Sequence, residues 1–230
     1  MMRYSALESL IKLGAITLAA ARSTSGAKYN RAASSAGNSI SVTPHDHYSS
    51  SAGVLGCKIN SDRVAYWPGA VDCNNFCKKL TSGSFSTYVM HLDSSGGAYD
   101  ISYDAWVYLQ NGGSATSAPL TGGGIPVTWE QASPQECAYL LNDGKMPLTA
   151  QNGANFYTSC IASNSWIGQN YELFEITNMV CTLGVDELCS VDPASMQPVC
   201  PGGFAQTNQP LSGHTVWDIE YGTGRRVAAV

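Results

Sequence analysis

Asp93 and Asp100 stand seven positions apart on either side of Gly96-Gly97 in the stretch STYVMHLDSSGGAYDISYDAW, residues 86–106. Two carboxylates held together can divide acid–base work. One gives a proton while the other takes one or stabilises developing positive charge. Aromatic residues surround the pair in sequence: Tyr66, Trp67, Tyr99 and Trp106. Their flat faces suit the C–H faces of pyranose rings, so they are the candidate sugar-stacking residues, with His91 beside them. The plainer reading is that Asp93 closes a strand and Asp100 precedes a helix cap, both common turn roles for aspartate. Amides and dipole at a helix start favour the ionised form, so Asp100 needs desolvation by Tyr99, Tyr103 or Trp106 to serve as an acid. No GxSxG stretch is present, so a serine nucleophile is not expected.

These residues need elements to hold them. RVAYW (63–67), FCKKL (76–80), STYVMHLD (86–93) and IPVTWE (125–130) have the alternation of strands. In the third, Tyr88, Met90 and Leu92 share one face, which is expected to be core. Thr87, Val89, His91 and Asp93 share the other, expected to lie near solvent or a groove. A short helix is predicted after the glycines. Ser102 suits its N-cap, Asp104 its second position, Ile101 and Trp106 a hydrophobic staple, and Asn111-Gly112 its end. Residues around 133–144 and 151–163 read as two further helices, and YELFEI as a strand.

The eight cysteines, Cys57, Cys73, Cys77, Cys137, Cys160, Cys181, Cys189 and Cys200, lack paired zinc-type spacing. Their even number predicts four disulfides in an oxidising compartment, with 105 possible pairings. Residues 1–21 have the pattern of a signal peptide, and residues 22–44 read as a flexible Ser/Ala/Gly-rich arm. One domain is expected over 45–222, with a helical, disulfide-stapled C-terminal extension and a tail over 223–230. Between residues 45 and 221 there are five basic and sixteen acidic side chains, a balance of −11. Such a surface repels phosphate backbones and anionic headgroups, so nucleic acid and membrane are not expected partners. No metal site or cofactor is expected, and a monomer is.

The order of strand, aspartate, glycine turn and Tyr99-Asp100-Ile101-Ser102 leading into Ala105-Trp106 with Leu109 resembles the six-stranded double-psi β-barrels of the rare-lipoprotein-A-like group. Expansins, barwins and small fungal endoglucanases belong to it. The whole chain also resembles a set of secreted proteins of filamentous fungi. The barrel resemblance covers roughly residues 63–130 and implies a mostly β fold: a six-stranded double-psi barrel with short helices. It also implies that Asp100 matches the acid of the endoglucanases and Asp93 a second carboxylate kept in expansins. Pro68 stands where the endoglucanases carry a base aspartate, and Val64 where expansins carry a threonine. The implied function is therefore a secreted, expansin-like protein that binds cell-wall polysaccharide without efficient hydrolysis. Two alternatives are a glycan-cleaving enzyme with Asp100 as general acid, and a non-enzymatic effector that uses the barrel as a protein-binding scaffold.

Overall fold

The strands β1 (Asn38–His45), β2 (Val64–Pro68), β3 (Cys77–Ser82), β4 (Phe85–Ser95), β5 (Tyr99–Ser102) and β6 (Ile125–Gln131) close into a barrel in the order β1-β5-β2-β4-β3-β6. This computed structural model describes residues 38–151, 153–203 and 208–230. The signal-peptide pattern over 1–21 lies outside the described residues. β1 runs parallel to β5, and β2 parallel to β4; the remaining neighbours are antiparallel.

Alternation along each strand sorts side chains between two cores. Val42, Ala65, Trp67, Leu80, Val89, Ile101 and Val127, from all six strands, fill the barrel lumen. The opposite faces of β2 and β4 present Val64, Tyr66, Met90 and Leu92 to a second core under the C-terminal half. The apolar face of β4 is core, as expected, but its mixed face is not at the surface. Val89 and His91 are buried because that face lines the lumen. Each large aliphatic group removed from water here contributes roughly 1.5–3 kcal/mol.

α1 (Tyr103–Asn111) follows β5 directly and lays Tyr103, Trp106, Val107 and Leu109 on the lumen cluster. Gly112 ends it in the left-handed conformation, φ 74°, with its N–H on the Tyr108 carbonyl. Ser102 occupies the N-cap position but makes no side-chain cap bond. Its hydroxyl instead donates to the Ser61 carbonyl at 2.7 Å and accepts from the Val64 amide at 2.9 Å, tying the helix start to β2.

The C-terminal half contains α2 (Pro134–Cys137), β7 (Met146–Thr149), α3 (Ala154–Ala162), α4 (Trp166–Gln169), β8 (Tyr171–Ile176), β9 (Gly184–Val191) and β10 (Pro198–Val199). It is less helical than its sequence suggests, because β7 to β10 form a four-stranded sheet. A hairpin of β11 (Trp217–Ile219) and β12 (Arg226–Ala228) completes the chain. All eight cysteines are paired, as Cys57–Cys181, Cys73–Cys160, Cys77–Cys137 and Cys189–Cys200. Four disulfides fit an oxidising environment.

Two sequence boundaries move. Residues 38–44, assigned to the flexible arm, are most of a barrel strand, because Ile40 and Val42 point inward despite their polar neighbours. Residues 226–228, assigned to a tail, pair with β11.

Candidate functional site

Tyr66 sits at the middle of the region flagged by sequence. Its register partner on β4 is Asp93 and on β5 is Asp100, so three adjacent strands bring the two aspartates to either side of one tyrosine. The chain thus gathers the predicted pair, but both carboxylates are engaged by the protein itself. Asp93 accepts from the Ser49 hydroxyl at 2.5 Å and from the amides of Ser51 at 3.0 Å and Ser94 at 2.8 Å. Asp100 accepts from the Thr43 hydroxyl.

The predicted stacking residues offer no open face. Trp106 and Trp67 are 0% and 3% exposed, one beneath α1 and the other in the lumen. His91 is buried beside Trp67, with ring centroids 6.3 Å apart. Tyr99 is half-buried with Trp67 edge-on to it at 5.2 Å. The Tyr66 ring lies against His45 at 4.2 Å, and burial pushes its phenol well above the usual range, so it stays a neutral hydroxyl. The two tryptophans and His91 are placed by the core, which leaves the tryptophans no face for stacking and His91 no open edge for a substrate.

The small, half-open recess that Tyr66 helps to line has neither Asp93 nor Asp100 on its wall. It is bounded by His45 to Tyr48 at the end of β1, by Ser61 and Asp62, by Ser102 to Asp104 at the β5–α1 junction, and by Trp217 to Ile219 of β11. Its three deepest carboxyl groups differ in environment. Asp104 accepts from Arg63 Nη1 at 2.8 Å, from the Ser114 hydroxyl at 2.7 Å and from the Ala115 amide at 2.7 Å. Asp218 accepts from the Tyr48 amide at 2.8 Å and meets His47 Nδ1 at 3.2 Å. Asp62 is raised above the ordinary carboxylate range, by burial first and then by the negative charge of Asp104, with Arg63 and Arg226 opposing. A carboxyl group shifted toward its protonated form by burial, with two hydrogen-bonded aspartates beside it, has the direction of shift that proton donation needs.

The recess volume, about 20 Å³, admits roughly one water molecule. A shallower trough of about 170 Å³ continues from it past Ser61, Asp62 and Trp217 toward Gly56, Asn60 and Arg226. Trp217 forms the shared wall; it is 42% exposed and carries the Arg226 guanidinium 5.5 Å from its ring centre. Sequence reasoning missed Trp217, a residue type that usually goes to the core, and Asp218 beside it. The alternation in VWDI, with Asp218 buried and Trp217 out, is the signal that separates them. Among the described residues no cluster of three or more metal-ligating side chains forms. No protein-family model, curated protein or solved structure matches this chain.

Proposed function

We propose that this protein is a secreted, polysaccharide-binding protein of the expansin-like type, built on a double-psi barrel, that holds a glycan along the trough between Trp217 and Asp62. The barrel part of this reading is supported by two parallel strand pairs interleaved among antiparallel ones, in register with the Asp100 segment that carried the resemblance. The observation that carries the binding part is Trp217. It is a large aromatic ring, 42% exposed at the lip of a polar recess with Arg226 over one face, where a pyranose can stack on the other face while its hydroxyls reach Asp62 and Asn60. Binding without efficient hydrolysis is supported by the engagement of Asp93 and Asp100 in the protein's own hydrogen bonds.

A second reading, glycan cleavage, is favoured by the raised Asp62, which replaces Asp100 as the group best suited to protonate a glycosidic oxygen. One experiment separates the two. Wild type, Trp217→Ala and Asp62→Asn are incubated with insoluble cellulose, chitin and bacterial wall, and bound protein and released sugar are measured in the same tubes. The binding reading expects Trp217→Ala to lose about tenfold or more in affinity while no protein releases sugar. Release by wild type that Asp62→Asn abolishes moves the assignment to an enzyme. If wild type binds none of the three, both readings fail and the barrel becomes a scaffold for a protein partner.

A further inference from the structure

The strongest unexplained chemistry lies on the other side of the barrel wall. Where β2 ends and β3 begins, Lys78 turns into the lumen. It is 8% exposed and sits over two indoles, its Nζ 5.1 Å from the ring centre of Trp129 and 5.9 Å from that of Trp67. Its one hydrogen-bond acceptor is a neutral amide, Gln131 Oε1, at 2.5 Å. Lys58, Lys79 and Lys145 each reach a carboxylate within 3.0 Å or less, whereas Lys78 has no ion-pair partner among the described residues. A buried ammonium without a counter-charge is costly.

Two further polar atoms on lumen-facing residues are unanswered. Trp67 Nε1 and His91 Nε2 are both buried without a hydrogen-bond partner, on residues 3% and 5% exposed. The indole N–H can only donate, and a proton on Nε2 makes the imidazole a second donor. The other side chains of the lumen here, Ala65, Leu80, Val89, Tyr99 and Trp129, bring no negative charge, and Asp93 acts on His91 from further along β4. Asp72 acts on Lys78 from the exposed loop before β3, too far for an ion pair.

We propose that the end of the barrel lumen at Lys78 is a binding site for a small carboxylate, held by the Lys78 ammonium and the Trp67 indole N–H, with His91 Nε2 as a third contact. One such anion supplies the missing counter-charge and the missing acceptor together. Gln131 is the gate. Its side chain is exposed, so it can swing outward and free Lys78, at the cost of its hydrogen bonds to the Cys77 and Ala132 carbonyls but of no backbone bond of the strand. Burial first, and then the neighbouring Lys78, hold His91 below its ordinary value, with the Trp67 and Asp93 backbone and the Asp93 charge opposing; an anion beside it offsets the repulsion by Lys78.

The carboxylate can belong to a free acid or to a uronic acid residue, and the two are distinguished by titrating with acetate and with galacturonate, against chloride at equal ionic strength. The readout is the indole N–H resonance of Trp67 in the intact folded protein, together with the unfolding temperature. We expect a saturable shift of that resonance at millimolar carboxylate, and a rise in unfolding temperature that chloride does not give. Acetate alone acting means a free acid; galacturonate acting about tenfold more strongly means a sugar acid. Lys78→Met keeps the bulk and removes the charge. It is expected to bind at least about tenfold more weakly and to be no less stable than wild type without ligand. Gln131→Ala removes the competing acceptor and is expected to tighten binding, which tests the site even if Lys78→Met does not fold. A Trp67 resonance unmoved by either acid, or equal titration in wild type and Gln131→Ala, overturns the proposal. Because this chamber shares no wall residue with the Trp217 trough, loss of glycan binding on Trp217→Ala leaves the carboxylate titration unchanged.

Discussion

Asp62 and His91 carry opposite pH signatures. The folded state raises Asp62 above the value of 3.8 it has in an open chain. Its contribution to stability is therefore full below 3.8 and is lost as pH rises through the folded value. Asp62→Asn, neutral throughout, is expected to abolish that dependence and to be more stable than wild type at neutral pH. Urea unfolding of both proteins at acid and neutral pH checks this. His91 runs the other way. Its folded value lies below 6.5, so its contribution is present above 6.5 and is lost as pH falls through the folded value. His91→Phe should flatten the stability curve in that mildly acidic window; an unchanged curve means that His91 is hydrated rather than dry. Of this chemistry, the sequence made Asp93 and Asp100 conspicuous because they bracket a glycine turn. It left Asp218 inconspicuous, and gave Asp62 only as one of several possible second carboxylates, because the recess that joins them is built from β1, β5 and β11, far apart in the chain.

At the scale of elements, the junction of β5 and α1 carries the greatest concentration of structural duties. Ser102 caps by position yet bonds sideways to Ser61 and Val64. Ser102→Ala leaves the Val64 amide unanswered and is expected to cost about 1–3 kcal/mol, more than a simple cap in a peptide would. Trp106→Ala, which empties the space beneath α1, should cost about 3–5 kcal/mol. Chemical denaturation measures both, and a smaller loss for Trp106 than for Ser102 would contradict the packing described. Strands β2, β3, β4 and β6 were legible because their apolar residues alternate. The segment YDIS was not legible as a strand, since its residues also fit a helix start, and only pairing with β1 and β2 makes them extended. β1 was hidden for a different reason: NSISVTPH holds only two inward apolar groups, enough for a strand that closes a barrel between two neighbours.

For the whole molecule, the disulfides tie the barrel to the C-terminal half. Cys57–Cys181 spans 124 residues and Cys73–Cys160 spans 87, whereas Cys189–Cys200 spans 11. Long closed loops take most entropy from the unfolded chain, so removing Cys57–Cys181 by a double alanine change should cost roughly 2–5 kcal/mol. Removing Cys189–Cys200 should cost less. Thermal unfolding under non-reducing conditions ranks them. An even cysteine count announces four bridges but not their partners, because partners are set by the meeting of β-barrel and sheet rather than by spacing.

The closing strand has a consequence for how the protein is made. β1 leaves the ribosome before any of its neighbours, and the Thr43–Asp100 contact that fastens it joins residues 57 positions apart. Until β5 and β6 have emerged, β1 has no partner, and until it docks they present bare edges toward each other. Closure of the barrel therefore waits until residue 131 has been made, and the docking of β1 between β5 and β6 is the step that removes both edges. Slow translation past residue 131 gives each chain time to close on itself.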